Sequence, residues 1–185
     1  MIETVKAAVV ASIIGPGDNV QAIASTVGGR LARTITDTSR VGPSVIDAIA
    51  HVASSAICSP VRAGVDLSHA TKGIVVGVLR GTALASAEAR DTISHTAHVA
   101  IRATAQVGGD LEVAATGLVQ GAIAGTKESG VSAEDAAAAA ASGALKAAGE
   151  VSSRALATVR NALIKTSQGV KVVTRELEAA LLSNN

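Results

Sequence analysis

A short motif of small apolar residues returns along the chain at intervals close to 22 residues. Its clearest copies are GVLRGT, VAIRAT, GAIAGT and GALKAA, which begin at residues 77, 99, 121 and 143. Weaker copies begin at residues 11, 29, 55, 161 and 179, and each spacing that departs from 22 does so by four residues. Because four residues are close to one helical turn, such changes keep the motif on one face of a helix. A period of this length predicts stacked helical units.

Polar residues eleven positions before the motifs mark the expected starts of helices. They are Asp18, Ser44, Asp66, Glu88, Asp110, Ser132 and Glu150. Asp and Ser side chains accept hydrogen bonds from the free N–H groups of a first helical turn. Glycines lie just upstream, at positions 17, 42, 64, 109, 130 and 149, where a preceding helix is expected to end in a left-handed residue. The pattern therefore favours separate helices over one continuous rod with an 11-residue period.

These signals predict an all-α protein with eight or nine short antiparallel helices. The helices are expected near residues 2–14, 19–36, 44–58, 67–85, 89–106, 111–127, 133–148, 152–167 and 170–182. We interpret residues 1–185 as a single helical-repeat domain whose units start near residues 1, 18, 44, 66, 88, 110, 132, 150 and 170. The expected architecture is an elongated array or α-solenoid. A closed up-and-down bundle is the alternative.

Glycines spaced four residues apart predict where the helices pack. They are Gly73, Gly77 and Gly81 in one helix, Gly117, Gly121 and Gly125 in another, and Gly143 in a third. Glycine in a helix interior is about 1 kcal/mol less favourable than alanine, so close packing between backbones has to compensate. We expect these small ridges to lie where helices that are consecutive in the chain cross. Ala124 lies at about 300° around the helix from Gly121 and should face solvent.

The composition narrows the classes of partner and location. The chain has no aromatic residue, and 16 basic and 15 acidic residues give a net charge of +1. A nearly neutral chain without rings for base stacking is poorly suited to binding nucleic acid. The uncharged stretches are shorter than the ~20 residues that cross a bilayer. The lone Cys58 and the absence of a basic-then-apolar start lead us to expect a cytoplasmic protein.

Two groups of side chains are candidates for chemistry or recognition. Asp91, His95 and His98 lie on one polar strip, with His69 one helix earlier, and such spacing is a weak candidate for a divalent metal site. A solvated polar strip is the favoured interpretation. Arg80, Arg102 and Lys146 share the fourth position of the motif and form a candidate interaction face. Ordinary solvated charges are again the alternative.

The sequence contains none of the familiar motifs of hydrolases, P-loop proteins or dinucleotide-binding folds. We therefore expect no enzyme, no cofactor and no small-molecule substrate. The first functional hypothesis is a non-enzymatic structural or scaffolding protein that forms homo-oligomers through its helix faces.

The second hypothesis is a coat that binds a lipid or other hydrophobic surface. In period alone the chain resembles the 22-residue helical repeats of the exchangeable apolipoproteins, and that resemblance implies binding to lipid surfaces. The chain differs from them because its turns carry mainly Gly with Asp or Ser rather than Pro, and because it has no aromatic residues.

Overall fold

The computed structural model describes residues 19–37, 67–82 and 86–166, together with Ala50, Ser54 and Ile57. Six helices account for nearly all of this part of the chain, which contains no strand. They are α1 (Asn19–Asp37), α2 (Leu67–Thr82), α3 (Ser86–Gln106), α4 (Leu111–Ser129), α5 (Ala133–Val151) and α6 (Ser153–Thr166). The all-α class is confirmed for these residues.

Each of the six helices lies within three residues of its predicted bounds. The predicted helices at 2–14 and 170–182 lie outside the described residues, as does most of the one at 44–58. The total number of helices therefore stays a prediction.

Short polar side chains begin two of the helices as the pattern predicts. The Asp110 carboxylate accepts hydrogen bonds from the N–H groups of Glu112 and Val113 at 2.9 and 3.2 Å. The Ser132 hydroxyl accepts one from the N–H of Asp135 at 3.0 Å. Between these starts, α4 ends at Gly130, whose φ of 65° is the left-handed value that favours glycine.

The two glutamates that precede motifs do not cap helices. Glu88 lies inside α3, and Glu150 lies in the last turn of α5. Ser152 separates α5 from α6 instead, and its hydroxyl accepts a hydrogen bond from the N–H of Ala155 at 3.0 Å. A Ser oxygen is close enough to its own backbone to cap a helix well, whereas Glu is not among the preferred residues.

Two of the glycines expected to end helices in a left-handed conformation do not do so. Gly149 is helical, and in the turn between α3 and α4 the left-handed residue is Gly108, with a φ of 69°, rather than Gly109. The break between α5 and α6 is therefore a single extended residue and not a glycine turn.

The most extensive helix contacts join α1 to α2, α2 to α4 and α3 to α5. Residues 38–66 lie between α1 and α2 in the sequence. The consecutive pairs α2–α3 and α3–α4 contact each other less. The expectation that the closest crossings join consecutive helices is therefore wrong for α2–α3 and α3–α4. The glycines of α4 face α2, and Gly143 of α5 faces α3.

Helix α2 is the most enclosed of the six. Every residue from Gly73 to Leu79 is buried, and α1, α3 and α4 all contact this helix. The core around it consists of Ile, Val, Leu and Ala side chains, which matches the aliphatic composition of the chain. Among the described residues, no helix is long and apolar enough to span a membrane.

Helix α6 departs from the arrangement of the earlier pairs. In the α2–α4 pair, Ser68 meets Gly117 and Leu79 meets Gly125, so the two helices run in the same direction. By contrast, the end of α6 lies at the start of α4: Lys165 forms an ion pair with Glu112 at 2.8 Å. Four residues connect α3 to α4 and three connect α4 to α5, whereas Ser152 alone connects α5 to α6. A one-residue connection is too short to form the same kind of turn.

Candidate functional site

The first glycine ridge lies directly against the backbone of α1. A Cβ atom added at Gly77 would lie 2.6 Å from the carbonyl oxygen of Ala24, and one at Gly81 would lie 2.7 Å from that of Gly28. One at Gly73 would lie 2.8 Å from the Cβ of Ile23. These distances are too short for non-bonded carbon and oxygen atoms, so only glycine fits this approach of two helices.

The second ridge makes the same kind of contact with α2. A Cβ at Gly121 would lie 2.6 Å from the carbonyl oxygen and 2.9 Å from the Cα of Lys72. One at Gly117 would meet the backbone of Ser68, whereas one at Gly125 would meet the Cδ1 atom of the Leu79 side chain. Backbone atoms therefore leave no room for a side chain at Gly121, whereas at Gly125 the Leu79 side chain can change its conformation.

Gly143 provides the corresponding contact between α5 and α3. A Cβ there would meet the carbonyl group of Ser94, with its carbon atom 2.8 Å away. Gly29 and Gly149 are different, because an added Cβ at either position would have no neighbour within 4 Å. Helical glycines in this protein thus fall into packed and open positions, and the seven residues singled out from the spacing are all of the packed kind.

The four metal candidates do not form one site. His69 and Asp91 are exposed, and His98 turns towards Glu150 of α5, with 3.0 Å between its Nε2 atom and the carboxylate. Within the described part of the chain, no three His, Cys, Asp or Glu side chains come together closely enough to hold a metal ion. Asp91, His95 and His98 share one side of α3, but Asp91 is exposed to solvent and His98 is paired with Glu150, so the spacing along one helix does not assemble a set of metal ligands.

The three basic residues of the candidate interaction face also separate. Arg80 lies near the end of α2, next to Gly28 of α1. Arg102 lies sixteen residues beyond the start of α3, about 24 Å along that helix. It lies 3.7 Å from the Glu150 carboxylate, and the charge of Lys146 also acts on Glu150. The face expected as one basic line is therefore divided between two places.

Glu150 is the residue that the sequence pattern misassigned, and it forms the centre of a polar cluster between α3 and α5. The hydrogen bond from His98 is the main cause that lowers the pKa of its carboxyl group, and the positive charges of Arg102 and Lys146 lower it further. A second ion pair, Arg90 to Asp135 at 4.0 Å, joins the same two helices nearer the other end. These contacts join α3 and α5 on both sides of Gly143.

A cleft of about 270 Å³ opens beside this cluster. Its polar lining comes from Ser54, which precedes α2, and from His95, His98, Arg102 and Gln106 of α3. Because Glu150 contacts both His98 and Arg102, its carboxylate offsets the positive charge at this place. The cleft therefore provides hydrogen-bonding groups without the excess positive charge that would attract an anion.

Comparison of the chain with protein-family models, with curated proteins and with solved structures finds no match.

Replacing Glu150 with Gln should flatten the acid side of the protein's pH–stability profile. The folded state lowers the pKa of this carboxyl group, so its stabilising contribution is complete above the pKa of the unfolded chain and disappears as the pH falls through the folded pKa. Urea unfolding from neutral pH down to about pH 3, below the ordinary range for Glu, would measure this difference.

His98→Asn provides the matched variant, since it removes the first cause of the lowered Glu150 pKa. It should flatten the same region of the profile. If both variants keep the acid dependence of the wild-type protein, the pairing of His98 with Glu150 is not present in solution.

Proposed function

We propose that this chain is a non-enzymatic structural protein, a helical-repeat scaffold that associates with further copies of itself. The observation that supports this most strongly is a helix–helix contact that is repeated along the chain. In three helix pairs, α1–α2, α2–α4 and α3–α5, glycine positions of the later helix lie against the backbone of the earlier helix. A chain that repeats one kind of helix–helix contact forms an array as units are added to it. The proposal includes an α-solenoid of eight or nine helices.

The end of the described array offers a surface for a second copy. Val151 and Ile164 are the two large apolar side chains that stand out as exposed in the described residues, with 43% and 42% of their surface accessible. They lie at the end of α5 and near the end of α6. In a repeat array each unit buries its apolar face against a neighbour, so exposed aliphatic side chains on the last two described helices favour packing of a further copy.

Sedimentation velocity over a hundredfold range of protein concentration tests the proposal. We expect the mean mass to rise with concentration, and we expect Ile164→Asp to reduce that rise. Ser142→Asp is the control, since Ser142 is exposed on α5 on the side opposite Val151, and it should behave like the wild-type chain. Circular dichroism would establish that both variants remain helical. A strict monomer at the highest concentration would overturn the proposal.

A lipid or hydrophobic-surface coat is the second candidate, and the composition of the α5 interface favours it. All nine buried residues of α5 are Ala or Gly, so separating this helix from its neighbours exposes little apolar area per residue. Helices that separate easily can spread their apolar faces on a lipid surface. Flotation with liposomes at low salt, with a change in circular dichroism, is the expected result for this role; a chain that never floats would exclude it.

In either role the expected location is the cytoplasm, and the chain acts through surfaces rather than through a catalytic centre. The partners are then further copies of the chain or a lipid surface, with no cofactor, nucleic acid or small-molecule substrate required.

A further inference from the structure

We draw no further inference here: the strongest candidate, the cleft of about 270 Å³ on α3 beside the Glu150 cluster, carries nothing because it belongs to the polar site already described, its basic side chains are paired with Glu150, and most of the segment around Ser54 lies outside the described residues.

Discussion

Gly121→Leu should destabilise the protein by about 1 to 3 kcal/mol or more, the usual cost of overpacking. Ala124→Leu, three residues away, should change the stability by less than about 0.5 kcal/mol. A Cβ at Gly121 lies 2.6 Å from a backbone oxygen of α2, so the isobutyl group would force two helices apart. Ala124 is exposed, so the same group reaches solvent there.

Thermal and urea unfolding of both variants would measure this difference. Both substitutions place a leucine in the same helix, so the two variants are alike in the residue that they add. Replacing a glycine also improves helix propensity, which by itself would make the Gly121 variant the more stable of the two. Equal destabilisation of the two would show that the glycine ridge of α4 does not mark its packing face.

Gly143→Ala and Gly149→Ala should change stability in opposite directions although both lie in α5. At Gly143 even one methyl group meets the backbone of Ser94, which cannot turn aside as a side chain can, so we expect a loss of roughly 1 to 3 kcal/mol. At Gly149 the methyl group has open space, and the gain in helix propensity should stabilise the protein by about 0.5 to 1 kcal/mol.

The midpoints of urea unfolding for the two variants and the wild-type protein provide the measurement. Each variant serves as the control for the other, because the chemical change is the same and only the surroundings differ. A stabilised Gly143→Ala variant would mean that α5 does not approach α3 as closely as the structure places it.

The positions of the helices could be predicted because their causes are local. Asp110 and Ser132 begin helices with short oxygen-bearing side chains, and Gly130 ends one in a left-handed conformation. Each of these effects involves residues within one turn of each other, so they can be read from neighbouring letters. Glu150 is a poor cap for the same local reason, and Ser152 caps the following helix instead.

The partner of each glycine ridge could not be predicted, because periodicity identifies a small face without identifying the helix that meets it. Gly121 carries the same spacing whether it packs on a chain neighbour or, as here, on Lys72 two helices earlier. The choice depends on how much surface each arrangement buries in three dimensions. The short turns predicted that α4 would pack most closely on a helix next to it in the chain, and this is wrong.

The polar cluster escaped prediction for a related reason. His98 and Glu150 are 52 residues apart and lie on different helices, so their contact depends on the register of α5 on α3. That register follows from the packing of Gly143 against Ser94, a contact that no local pattern describes. Long polar side chains then reach whichever partner the packing brings near, and this separates the candidate metal residues and the expected basic line.

A double-mutant cycle between Leu79 and Gly125 tests whether the glycine face of α4 packs on α2. Leu79 of α2 is 1% exposed, and its Cδ1 atom occupies the space that a Cβ at Gly125 of α4 would enter. Leu79→Ala alone should cost about 2 to 5 kcal/mol by leaving a cavity. In that background, the methyl group of Gly125→Ala should fill part of the cavity and raise stability.

We therefore expect the double variant to be more stable than the sum of the two single changes, by about 0.5 to 3 kcal/mol in the free energy of unfolding. The cycle of Leu79→Ala with Gly149→Ala is the control and should be additive, since an added Cβ at Gly149 has no neighbour within 4 Å. Additivity in the Leu79–Gly125 cycle as well would contradict the account, because it would show that the glycine face of α4 does not lie against α2.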